Sequence, residues 1–255
     1  MLTENDFIDL YGDGIAVPLE ISIVFLRKEY NFFWVYNDDH NYEIWRNIPC
    51  DFDTLLNYLT IHGNKFTKCD ICTNAIGSKL IDADKLLATI MNMCPRITSL
   101  SIKGLRISTM PTFENIRILK LEEVPMTSIP KFPMLVSLEL VKMKVLALPF
   151  LPFLSELILI GIEHDNVVPR WNELKTVISN NVELLLEITN VNNGIVNIWC
   201  GGNIRADEVY KIVSHQPNLL FMGFCVPSSF DLKLNSTRLP GWEIYRDYIR
   251  KCKTN

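Results

Sequence analysis

Residues 116–130, IRILKLEEVPMTSIP, and residues 135–149, LVSLELVKMKVLALP, decide the fold, because the second stretch repeats the apolar positions of the first at a step of 19 residues. The same step runs back to Ile97 and forward to Leu154. Ile97, Ile116, Leu135 and Leu154 are each followed by an apolar residue three positions on (Leu100, Leu119, Leu138, Leu157) and another five on (Ile102, Leu121, Leu140, Leu159). Three further columns continue the match: Leu105, Val124, Met143 and Ile162; Ile107, Met126, Val145 and His164; Met110, Ile129, Leu148 and Val167. All of these cells but His164 are apolar in a chain that is 48% apolar, and Pro111, Pro130 and Pro149 fall at the same step, so composition alone does not produce the pattern. A fixed period of this length is the signature of a repeat architecture.

The spacing has a direct physical reading. In L-x-x-L-x-L the last two apolar residues are two apart, the period of a strand, so they share one face and the residues between them point to the other. A 19-residue unit cannot bury its own apolar side. Stacked on its neighbours, it turns each column into a continuous ladder, and the core runs along the stack. At about 25 cal/mol per Å² of apolar surface removed from water, six apolar side chains per unit is a dense core for so short a segment. The proline after the last column turns the chain back, since it fixes φ and cannot donate to a ladder.

These segments resemble the leucine-rich repeat family over residues 97–168. The resemblance implies an α/β solenoid with a parallel β-sheet on its concave face. One position departs from the family: where its Asn hydrogen-bonds the backbone of the turn, this chain has Leu105, Val124, Met143 and Ile162. An apolar plug is expected there, with less regular turns.

Weaker copies extend the array. Phe66, Cys69 and Ile71 fit the strand motif, as do Ile195, Ile198 and Cys200, and Leu219, Met222 and Phe224. The extra length between these copies is helical in character. Asp82 or Asp84 can cap the run Lys85 to Met91 before Cys94-Pro95, and Asp207 opens Glu208 to Val213 before Gln216-Pro217. This helix-Pro-strand order, in MCPRITSLSI and HQPNLLFMGF, is similar to the longer repeats beside F-box domains in ubiquitin-ligase receptor subunits. Residues 173–190 read as one more irregular turn, with Leu184, Leu186 and Ile188 as its strand.

The ends differ from the array. Residues 1–60 carry eleven Asp or Glu against three Lys or Arg, whereas the whole chain has a net charge of −4, so the remainder is net basic. Ile21 to Leu26 and Phe32 to Tyr36 read as strands and Phe52 to Leu59 as a helix, an irregular N-terminal cap over the first repeat. Trp242, Tyr245 and Ile249 share one side of an amphipathic segment, Trp242 to Cys252, expected to be a C-terminal helical cap. The organisation expected is therefore 1–60 cap, 61–228 repeats with the regular ones in 97–172, and 229–255 cap, in one elongated domain.

The start, MLTENDFIDL, lacks the basic and apolar regions of a signal peptide. The apolar stretch Val145 to Ile162 contains Pro149, Pro152 and Glu156 and stays in register with two repeats, so it belongs to the core and not to a membrane. Seven cysteines, an odd number without a framework, favour reduced thiols and a cytoplasmic location. In that compartment the Asn235-Ser236-Thr237 sequon has no bearing.

Chemistry is sparse. Cys69-Asp70-Ile71-Cys72 has C-x-x-C spacing, yet no second pair follows, and in a strand the two thiols face opposite sides. His40, His62, His164 and His215 have no spacing for joint coordination, so no metal or cofactor is expected. Gly12-Asp13-Gly14 and Gly201-Gly202-Asn203 are turn chemistry, and no G-x-S-x-G is present. Asp38-Asp39 and Glu122-Glu123 are adjacent carboxylates, which does not set two carboxyl groups across a substrate.

What remains is a surface. Between the ladder positions lie Lys68 and Asp70, Ser99 and Ser101, Ile118 and Lys120, Ser137 and Glu139, Glu156 and Ile158, Asn197 and Trp199, and Phe221 and Gly223. Large apolar and aromatic residues mixed with charges compose a protein-binding patch. The residues expected to carry it are Ser101, Ile118, Lys120, Glu139, Glu156, Ile158, Trp199 and Phe221, with Lys120 and Glu139 close enough to touch. The reading is a non-enzymatic module that binds a partner protein, with no small-molecule substrate. The resemblance implies the same, since such domains serve as recognition surfaces in ligase receptors, innate sensors and pathogen effectors. Two competitors stand beside it: a substrate-recognition subunit of a ubiquitin ligase, although no F-box is found at the N-terminus, and an enzyme whose pocket is lined by His40, Asp38 or Asp39. Nucleic-acid binding ranks last, because a chain with pI near 5.6 lacks a broad basic footprint.

Overall fold

The structure, a computed structural model, describes residues 19–25, 31–37, 48–49, 52–73, 82–126, 128–145, 147–164, 168–224 and 233–252. In chain order these form β1 (Leu19–Phe25), β2 (Asn31–Asn37), β3 (Ile48–Pro49), α1 (Phe52–His62), β4 (Phe66–Thr73), α2 (Ala83–Met93), β5 (Ser99–Lys103), β6 (Ile118–Glu122) and β7 (Ser137–Val141). There follow β8 (Lys144–Val145), β9 (Glu156–Ile160), β10 (Glu163–His164), β11 (Thr176–Ser179), α3 (Val182–Val191), β12 (Asn197–Cys200), α4 (Ala206–His215), β13 (Phe221–Phe224), β14 (Trp242–Ile244) and β15 (Tyr248–Lys251). The protein is α/β with a mixed, mostly parallel sheet. Its strand order is β14-β15-β13-β12-β11-β9-β7-β6-β5-β4-β1-β2-β3 among the described residues.

From β4 to β13 every strand of this sheet lies parallel to its neighbour in the sheet, and from β5 to β9 the register is the one that the 19-residue step dictates. Leu100, Leu119, Leu138 and Leu157 are mutual neighbours, and so are Ile102, Leu121, Leu140 and Leu159. All eight are fully buried. Each strand alternates buried and partly exposed positions, because only one face of the sheet is covered. The plug residues Leu105, Val124, Met143 and Ile162 are buried behind the strands. Phe113, Phe132, Leu151 and Trp171 add a column that also lies in the core. Val167 lies outside the described residues.

The turn that follows each regular strand is made by the backbone. Gly104, Glu123, Lys142 and Gly161, again 19 apart, hold φ values of 70°, 54°, 50° and 63°. Their N–H groups donate onward to the next unit: Gly104 to the Glu122 carbonyl (2.8 Å), Glu123 to Val141 (2.9 Å) and Lys142 to Ile160 (2.7 Å). The series closes on a side chain, with Gly161 N–H donating to Asn180 Oδ1 (2.8 Å). At Gly104, Glu123 and Lys142 a left-handed residue in the turn thus links one unit to the next through backbone alone, without an Asn side chain. The short pair β8–β10 and the bridge Ser128–Ala147 line up the back of these units.

Helices occur where the spacing allows them. Thr67 and Thr98, which meet between β4 and β5, are 31 residues apart, and α2 fills that interval. Its N-cap is Asp82, whose carboxylate accepts from Lys85 N–H (3.0 Å). Asp84 instead reaches the next repeat and accepts from the N–H groups of Ser108 (2.9 Å) and Thr109 (3.1 Å). Leu86, Leu87 and Ile90 of α2 join the common core. In α4 the helix begins at Ala206 from Arg205, whose backbone N–H donates to Glu208, so the start is earlier than an Asp207 cap implies.

Two expectations are overturned. Residues 182–191 are helix α3, not a strand through Leu184, Leu186 and Ile188. Asn181 caps it by accepting from Leu184 N–H, and the residues buried are Leu184, Leu185, Ile188 and Thr189, a helical face. The strand of that unit is β11, with Val177 and Ser179 inward. The C-terminal cap is not helical either. Trp242 to Lys251 forms the hairpin β14–β15, and β15 pairs antiparallel with β13. The open edge of β13 needs hydrogen-bond partners, and a strand supplies them where a helix does not.

At the N-terminal end β1 lies parallel to β4 and antiparallel to β2, and α1 follows, close to the limits expected. Cys69 is buried while Cys72 lies on the other side of β4. No described helix is long and apolar enough to cross a membrane.

Candidate functional site

The uncovered face of the sheet is ordered in rows set by strand register. One row runs Ser101, Lys120, Glu139, Ile158, Ile178, Trp199, Gly223, Tyr248; the adjacent one runs Ser99, Ile118, Ser137, Glu156, Thr176, Asn197, Phe221, Arg250. All eight residues expected to bind a partner lie in these two rows and none is buried. Ile118 is 50% exposed and Trp199 47%, which places Trp199 on the open face and not in the core.

The two ends of the face differ in chemistry. Toward β5 the charges pair across neighbouring strands: Lys103 Nζ lies 2.7 Å from Glu122 Oε1 and Lys120 Nζ 2.7 Å from Glu139 Oε1. The hydrogen bond that it donates to the Glu122 carboxylate holds the Lys103 ammonium above its ordinary pKa. Toward β15 the face becomes aromatic. Trp199 and Phe221 have ring centroids 5.0 Å apart, Phe221 and Tyr248 5.4 Å, and Tyr248 and Tyr245 4.4 Å. The Arg250 guanidinium lies 5.4 Å from the Tyr245 centroid and is paired with Glu243. Hydrogen bonding from Arg250 first, and from Tyr245, holds the Glu243 carboxyl below its usual range.

Gly223 makes this arrangement possible. A Cβ at this position would overlap the six-membered ring of Trp199, so the indole lies flat over the β13 backbone. Contiguous rings backed by a rigid sheet give apolar contact area at low entropic cost.

Ile178, Tyr248 and Arg250 belong to the face without having been singled out in the sequence, and Tyr245, expected in a helical cap, stacks on Tyr248 instead. Leu174, Val177 and Ser179 do fit the strand motif, with Ser at the third position disguising it. The alternation of Tyr248, buried Ile249 and Arg250 is likewise a strand signal.

A groove of about 370 Å³ beside α2 is lined by Met91, Cys94, Ile97 and Phe113. Burial pushes the Cys94 thiol up to about 12, which keeps it protonated and a poor nucleophile. His40, Asp38 and Asp39 lie outside the described residues, as does Gly12-Asp13-Gly14. No family model matches the chain, and no curated protein matches it.

Proposed function

We propose that the chain is a leucine-rich-repeat-type solenoid that recognises a partner protein on the concave, open face of its sheet and carries out no chemistry of its own. The supporting observation is the continuous ring cluster Trp199, Phe221, Tyr248 and Tyr245, none of it buried, with Trp199 and Tyr248 in the same row as Ile158 and Ile178. Exposed aromatics clustered on a rigid surface are the usual energetic centre of a protein interface. A cytoplasmic setting suits the free thiols of Cys94 and Cys252.

The test is affinity purification with mass spectrometry, comparing the wild type with a Trp199→Ala, Phe221→Ala double variant. Both residues lie on the surface, so thermal unfolding should be little changed while specific partners are lost. An unchanged partner set would count against the open face as the binding site. A second reading, a substrate-recognition subunit of a ubiquitin ligase, draws support from the α2-Pro95-β5 and α4-Pro217-β13 order. It requires a ligase adaptor among the partners, retained by the double variant because the adaptor would bind elsewhere.

A further inference from the structure

Glu156 lies where the charged and aromatic halves of the open face meet. Its Oε2 accepts from Ser137 Oγ at 2.7 Å, and no cation pairs with it among the described residues. The cations of the two rows are spoken for: Lys120 is on Glu139, and Arg250 is on Glu243. In its own row Glu156 is followed by uncharged Thr176 and Asn197 and then by Phe221.

We propose that the face takes an extended, basic segment of a partner protein laid across β9 to β13, with a Lys or Arg on Glu156 and an aromatic or aliphatic side chain on Trp199 and Phe221. This rests on the reading of the open face as a protein-binding surface and adds the chemistry of what binds. Trp199 lies two strands and two residues from Glu156, about 12 Å at ordinary strand spacing and rise. An extended chain covers that distance in about four residues. Thr176 and Asn197, between the two anchors, offer hydrogen-bonding groups to the backbone that crosses them. An acidic segment would place like charge against Glu156, and opposite charge is what selects partners at such a rim.

Random 12-residue peptides displayed on phage, selected on the full chain, test this. The expected outcome is enrichment of sequences with Lys or Arg about four positions from an aromatic or large aliphatic residue. Selected peptides should bind Glu156→Lys about tenfold more weakly or worse, and Trp199→Ala similarly, with an intermediate loss in the isosteric Glu156→Gln. Circular dichroism melting of each variant should match the wild type. Peptides lost by Trp199→Ala but indifferent to Glu156→Lys would overturn the basic segment while leaving the open face as the binding site. Peptides indifferent to both would overturn the reading of the face itself, and acidic consensus sequences or no enrichment would overturn the proposal.

Discussion

Gly104 shows how much of this fold rests on single backbone positions. Its φ of +70° lies in the left-handed region, and an added Cβ would come 2.8 Å from the Thr73 carbonyl oxygen. Gly104→Ala should therefore destabilise the chain by about 1–3 kcal/mol in chemical denaturation. Asp84 gives a pH signature. The Thr109 N–H, and then Ser108, hold its carboxyl below the ordinary aspartate pKa of 3.8. A depressed folded pKa means that the stabilisation is present above the unfolded value and is lost as pH falls through the folded one. Asp84→Asn should cost at most about 1 kcal/mol at pH 7, because solvent screens this partly exposed carboxylate. The gap between variant and wild type should close in acid denaturation below pH 3.8. A gap that widened with acid would contradict the assignment.

At the scale of elements, Leu138 has neighbours from its own column on both sides, Leu119 and Leu157, and is fully buried. Leu138→Ala empties one rung, with an expected loss of about 2–5 kcal/mol measured by denaturant titration. A loss below about 1 kcal/mol would remove Leu138 from the core. The central strands were legible in the sequence because ladder burial repeats strictly every 19 residues and nothing competes with it there. The α3 segment was not, because Leu184, Leu186 and Ile188 alternate like a strand while Leu184, Leu185 and Ile188 repeat like a helix. The Asn181 cap decides between these patterns, and substituting it by Ala should cost about 1 kcal/mol. The β14–β15 hairpin was hidden for a different reason. Its spacing of Trp242, Tyr245 and Ile249 is helical, and only the open edge of β13 selects strands. With that hairpin went half of the aromatic cluster, whereas Trp199 and Phe221 were readable from strand alternation alone.

For the molecule as a whole, the sheet places its ladder residues on one side and leaves rings and charges on the other. The charges toward β5 neutralise one another, so under the proposed function the attraction for a partner concentrates from Glu156 to Tyr248. Hydroxyl-radical footprinting read by mass spectrometry reports side-chain exposure directly, in the free chain and with a captured partner. Trp199, 47% exposed, should oxidise quickly in the free chain, and Trp171, 2% exposed, slowly. Partner binding should slow oxidation of Trp199, Phe221 and Tyr248 and leave the outward residues of α2 and α4 unchanged. Equal oxidation of Trp171 and Trp199 would contradict the register, and protection confined to the helices would contradict binding on the open face.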